Sequence, residues 1–146
     1  MHTNKFRSLP YVNKMPQGQV VRFVQVDDDP IFNAVCKKHF QQTEDLDFIQ
    51  FDNISQTERR LMESPSVDVL MLDLSLPDRD GIEFLSTLKQ LNFQGRLIFM
   101  SSQPRSVIDM ASTLAASLGL NLVLRLDKPL SPEKLAQIDA VIRPAA

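Results

Sequence analysis

The chain has 146 residues, with 16 basic and 18 acidic side chains, a formal net charge of −2 and a single cysteine. That length suits one domain with one sizeable core, and the near-balanced charge offers no basic footprint for nucleic acid or for an anionic membrane. Cys36 alone cannot close an internal disulfide, and no apolar run approaches the ~20 residues that cross a bilayer, so the expected setting is the reducing cytoplasm, with no membrane partner.

Residues 1–18 hold Pro10, Pro16 and Gly18 without any apolar period, which reads as a disordered leader or an expression remnant. The folded domain is expected over 19–143, with 144–146 a tail or the start of a linker to an output domain that this sequence does not include. From Gln19 onward, strand-like runs alternate with helix-like ones: Val20–Val26 then 30–41, Leu46–Phe51 then 54–63, Val67–Leu72 then 81–91, Arg96–Met100 then 104–118, and Asn121–Leu126 then 131–142. The first, third and fourth strands are apolar nearly throughout, as parallel strands covered on both faces must be. The second alternates and suits an edge. Asp29-Pro30 and Ser131-Pro132 each offer an N-cap followed by proline, while Ser55 with Glu58 and Asp80 with Glu83 have the spacing of capping boxes. Five βα units in strict alternation predict an α/β fold with a doubly wound parallel sheet. In such sheets the functional crevice lies beyond the carboxyl ends of the strands.

Those ends carry the polar residues of interest. Strand one runs into Val26-Asp27-Asp28-Asp29-Pro30, strand three into Leu72-Asp73-Leu74-Ser75-Leu76-Pro77, strand four into Met100-Ser101-Ser102, and strand five into Asp127-Lys128-Pro129. Each has a plain reading. Asp29 caps a helix, Ser102 with Pro104 starts another, and a lysine before a proline is commonly a loop cation. Asp73 is harder to dismiss, because a carboxylate at the rim of an apolar strand is costly unless something uses it. With strands one, three, four and five side by side, the acids, the hydroxyl and the lysine share one crevice. Carboxylates crowded together repel unless a cation intervenes, and a hard divalent ion such as Mg2+ suits an all-oxygen set that leaves room for water and phosphate. Metal, hydroxyl and ammonium are then placed to hold the three oxygens of a phosphoryl group.

These motifs resemble the response regulator receiver domain of two-component signalling, typified by the chemotaxis regulator, over roughly residues 20–142. The resemblance implies a flavodoxin-like (βα)5 fold with strand order 2-1-3-4-5 and makes Asp73 the phosphoacceptor, Ser101 the switch hydroxyl and Lys128 the phosphoryl contact ahead of a cis-proline. It also implies that Mg2+ is held by Asp28, by Asp27 through water, by Asp73 and by the backbone carbonyl of Ser75. Implied partners are a sensor histidine kinase or histidine phosphotransfer protein, and a partner or second copy on the face of the fourth helix, fifth strand and fifth helix. Leu118–Leu130 further resembles receivers tethered to cyclic-di-GMP phosphodiesterase domains. The sequence departs from the family where an aromatic residue usually precedes the lysine by three positions: here it is Arg125. Ser75 and Gln103, two residues past the acceptor and the hydroxyl, occupy positions that tune phosphoryl lifetime in the family.

The same residues admit three other readings. A haloacid dehalogenase-like phosphatase needs a nucleophile motif that Asp27-Asp28-Asp29-Pro30-Ile31 does not complete. A degenerate receiver, used only for protein binding, would lack some of the acids, the hydroxyl or the lysine. A flavodoxin would meet repulsion between its cofactor phosphate and Asp27–Asp29. Cys36, Met62, Met71, Met100 and Met110 are expected to pack, as is the fourth helix, which is rich in small and apolar residues.

Overall fold

The computed structural model describes residues 19–64, 66–76 and 80–143; the expected leader at 1–18, residues 65 and 77–79 and the expected tail at 144–146 lie outside them. The elements are β1 (Val21–Val26), α1 (Pro30–Phe40), β2 (Leu46–Phe51), α2 (Ile54–Leu61), β3 (Val69–Asp73), α3 (Gly81–Gln90), β4 (Arg96–Ser101), α4 (Arg105–Ser117), β5 (Asn121–Asp127) and α5 (Pro132–Ile142). All pairings are parallel, in the order β2-β1-β3-β4-β5. The fold is the flavodoxin-like (βα)5 arrangement that the family resemblance implies, with the alternating strand β2 at one edge.

Alternate side chains of the central strands enter two separate cores. Val24, Val26, Leu70, Leu72, Leu97 and Phe99 pack under α2, α3 and α4, against residues such as Ile54, Phe84, Leu88 and Ala111. Phe23, Val69, Met71, Ile98 and Met100 pack on the other face beneath α1 and α5, against Phe32, Cys36, Phe40 and Ile138. Phe23, Phe40 and Phe48 form an aromatic knot with ring centroids 5.0 to 5.3 Å apart, a geometry that adds to their area burial.

Helix starts follow the capping logic with two corrections. Asp29 caps α1 by accepting from the amides of Ile31 and Phe32, and Ser131 caps α5 by accepting from that of Lys134. Asp80 caps α3 through the Ile82 amide. For α2, however, the cap is Asn53, accepting from the amide of Gln56, with Ser55 already inside the helix; asparagine two residues earlier fits the extended cap conformation equally well. For α4 no side chain caps the helix, and Ser102 does not serve. The nearby hydroxyl of Ser101 instead accepts from the Gln103 amide. The fourth helix is also less buried than its composition suggests. Ile108, Ala111 and Ala115 form its buried stripe, while Met110 is 57% exposed, and Met62 at the end of α2 is 68% exposed. Met71, Met100 and Cys36 are buried, as expected.

Candidate functional site

The register fixes what meets at the carboxyl edge of the sheet. Val26 pairs with Leu72, Asp73 with Met100, and Ser101 with Asp127, so the residues that follow β1, β3, β4 and β5 open onto one crevice. Two further backbone bonds stitch the loops to neighbouring strands: the Leu74 amide donates to Met100 O at 3.2 Å and the Lys128 amide to Ser101 O at 2.9 Å. Gly81 permits the close approach of α3 to this edge, because a Cβ there would lie 2.8 Å from Leu74 Cα and 2.9 Å from Asp73 O.

Asp27, Asp28 and Asp73 each present a carboxylate oxygen within 4.8 Å of the others. Asp27 and Asp73 are buried, whereas Asp28 is open to solvent. Asp27 Oδ1 accepts from the Asp29 amide and from the Lys128 ammonium, each at 3.0 Å. Its Oδ2 lies 2.7 Å from the same ammonium, so both oxygens of this buried carboxylate face Lys128. Asp73 Oδ1 accepts from the Ser75 amide at 3.0 Å, and its Oδ2 stands 3.7 Å from Lys128 Nζ. The Lys128 ammonium also sits 4.5 Å from the centroid of the Phe32 ring, a cation–π contact that fixes it on one side. The Lys128–Pro129 peptide bond is cis.

The electrostatics follow from this crowding. Burial, reinforced by the charge of Asp73, pushes the Asp27 carboxyl up to about 6 despite the Lys128 hydrogen bond. Burial and the charge of Asp28 likewise raise Asp73, against the opposing effects of the Ser75 amide and Lys128. For Lys128 burial favours the neutral amine, but its hydrogen bond and charge interactions with Asp27 and Asp73 prevail and raise it. The site is therefore an acid cluster that a single ammonium incompletely neutralises, which is the condition for taking up a small, hard cation.

Sequence reasoning missed two supports of this arrangement. The Asn33 side chain donates to the carbonyl of Asp27 at 2.7 Å, and is itself held by buried Gln25, which in turn accepts from Gln50. The one signal was Gln25, a polar residue inside an apolar strand. Across the mouth of the crevice the Gln103 side chain donates to Ser75 Oγ at 2.6 Å, joining the loops after β3 and β4. Arg125, at the expected aromatic position, does not point inward. It is 40% exposed and pairs with Asp109 of α4 at 2.9 Å, also donating to Ser112 Oγ.

Among the described residues a cavity of about 450 Å³ opens at the opposite end of the sheet between Val67, Asp68, Phe93, Arg96 and Asn121. Its acid is already engaged, since Asp68 Oδ2 accepts from the Arg22 amide. No acid cluster with metal-ligand spacing occurs there among those residues. Chemistry concentrates at the carboxyl edge, as the doubly wound topology requires.

Comparison with known proteins bears on the same residues. A family model described as response regulator receiver domain matches residues 23–139. The chain is 30% identical over 83 residues to the transcriptional regulatory protein GlnL of Bacillus subtilis, 56% of this chain and 26% of that protein. A response regulator from Colwellia psychrerythraea superposes with a TM-score of 0.63 at 28% identity, covering 82% of this chain and 94% of that one. Response regulator TrrA from Thermotoga maritima, solved in complex with Mg(2+)-BeF, superposes at 0.66 with 17% identity, covering 84% and 99%. The chain spans half or less of the length of the curated relatives it matches.

Proposed function

Because the chain belongs to the response regulator receiver domain family, we propose that Asp73 accepts a phosphoryl group in a Mg2+-dependent reaction. The observation that carries this reading is the placement of Asp27, Asp28 and Asp73 with one oxygen each within 4.8 Å, beside the Lys128 ammonium. Three carboxylates gathered this closely around one ammonium fit Mg2+ by the hardness of their donors. Asp28 and Asp73 would hold it directly, Asp27 through water, and the Ser75 carbonyl would add a third direct protein donor. When bound, the ion supplies charge neutralisation for the transferred group.

The chain's own residues do the rest. The Ser75 amide holds Asp73 by one carboxylate oxygen, leaving the other, Oδ2, to attack phosphorus as the bond to the donor breaks. Lys128, 3.7 Å from that oxygen, balances charge on one phosphoryl oxygen, and Ser101 turns from the Gln103 amide toward another. Catalysis in this scheme is positioning and electrostatic complementarity rather than acid–base work. The phosphodonor is a sensor histidine kinase or a histidine phosphotransfer protein. The response passes through the face of α4, β5 and α5 to an output domain, for instance a cyclic-di-GMP phosphodiesterase, or to a second copy. Arg125 makes that relay differ from the usual aromatic one, since its displacement must break a polar link to α4. No helix among the described residues is long and apolar enough to cross a membrane.

Incubation with Mg2+ and acetyl phosphate, read by intact mass, tests the reading. One phosphoryl group should be gained, and none by Asp73→Asn or by wild type in chelator. An unmodified wild-type chain would sink the phosphoacceptor assignment and leave the domain as a protein-binding module.

A further inference from the structure

The β5–α5 loop that presents Lys128 is closed on itself by a second lysine. Lys134 Nζ donates to Asp127 O at 2.7 Å and to Pro129 O at 2.9 Å, the carbonyls that bracket Lys128, while the Lys134 amide donates to the Ser131 side chain at 3.2 Å. Within that closed loop the Lys128 amide is tied to Ser101 O, and its ammonium reaches Asp27 and Asp73. A lysine in the first turn of a helix works against the helix dipole, and Lys134 lies in the first turn of α5, which starts at Pro132. Its ammonium turns away from the helix to meet two carbonyls, making charge-assisted hydrogen bonds of good length. A solvated surface lysine would do neither.

We infer that Lys134 is a positioning residue that acts through Lys128: its ammonium clamps the carbonyls on either side and so sets where the Lys128 side chain enters the acid cluster. This rests on the phosphoacceptor reading of Asp73. The Lys134 side chain also lines a crevice of about 140 Å³ with Arg105, Ile108 and Arg125 between α4, β5 and α5. The loop that carries Lys128 is thus held from the face proposed for partners.

Two measurements on the same variants test this. At saturating Mg2+, Lys134→Met should slow phosphoryl uptake from acetyl phosphate by about tenfold, the scale expected when a catalytic group is displaced by a fraction of an ångström. The Lys128 amide should exchange with solvent about tenfold faster in the same variant, with the amides of β1 and β3 unchanged, because only local opening is affected. Lys134→Arg, which keeps charge and donors, should stay close to wild type in both. Uptake or exchange in Lys134→Met at the wild-type rate overturns the inference, as does an arginine variant as impaired as the methionine one. If the wild-type chain takes up no phosphoryl group, the Asp73 reading fails, and the exchange comparison alone still decides whether Lys134 sets the loop.

Discussion

At the scale of single residues, the charge distribution around Asp27 dictates a pH dependence. Its carboxyl is raised from 3.8 to about 6, chiefly by burial, so the folded chain binds that proton more tightly than the unfolded chain does. The ionised form therefore opposes folding. This penalty is absent below the unfolded value, grows as pH rises through the interval up to about 6, and is complete above it. Without metal, Asp27→Asn should raise the melting temperature at pH 7 by an amount on the order of 3 °C, and the gain should vanish by pH 4. An equal gain at both pH values would show that the effect is packing rather than charge. A carboxylate at the other end of the sheet shows how local such tuning is. Asp45, also partly buried, is held below its ordinary value because the paired Arg143 guanidinium outweighs the penalty of burial. Asp27 shares its one ammonium with Asp73 and gets no such relief.

Elements set the positions of those residues through close backbone approach. Gly81 starts α3 against the end of β3, with room for no side chain between them. Gly81→Ala should cost ~1–3 kcal/mol, the range for overpacking a well-filled site, measurable by urea denaturation. Since the atoms it would strike belong to Leu74 and Asp73, phosphoryl uptake should suffer as well. A variant with full stability and full uptake would mean that the β3–α3 junction yields freely. The ends of α3 and α4 are closed by a different device. After α4, Gly119 at a φ of 76° lets its own amide reach Ala116 O and the Leu120 amide reach Ala115 O; after α3, Asn92 at a φ of 58° does the same with Lys89 O and Leu88 O. This pairing of bonds stops a helix abruptly and turns the chain into the next strand, which keeps the connections to β4 and β5 short.

For the whole molecule, metal binding and folding are one linked equilibrium. The three acids that cluster at the carboxyl edge come from two strands separated in sequence, β1 and β3, so the unfolded chain offers no such site. Binding to the folded state alone adds stability as RT ln(1 + [L]/Kd), about 2.7 kcal/mol at a hundredfold excess over Kd. Mg2+ at that excess should thus raise the melting temperature by a shift on the order of 8 °C, most of it lost in Asp28→Asn, whose carboxylate is exposed. An undiminished shift in that variant would move the metal elsewhere. The two cores on either face of the sheet hold β1 and β3 in register, and that register brings the acids together.

The sequence by itself determined the alternation of elements, the edge position of β2, the caps at Asp29, Asp80 and Ser131, and the set of polar residues at the strand ends. Those are local matters of period, cap chemistry and the cost of a carboxylate beside an apolar run. It misplaced the cap of α2 at Ser55 rather than Asn53, because both residues satisfy the same short-range rule. It took Met62 and Met110 for core, since apolar character alone does not say which side of a helix faces inward. Only the tertiary structure decided that Arg125 turns outward to Asp109, that Asn33 and Gln25 hold the Asp27 carbonyl, and that Lys134 brackets Lys128. Each of these depends on which side chains from distant segments come within about 3 Å, a hydrogen-bond distance. No one-dimensional pattern carries that information.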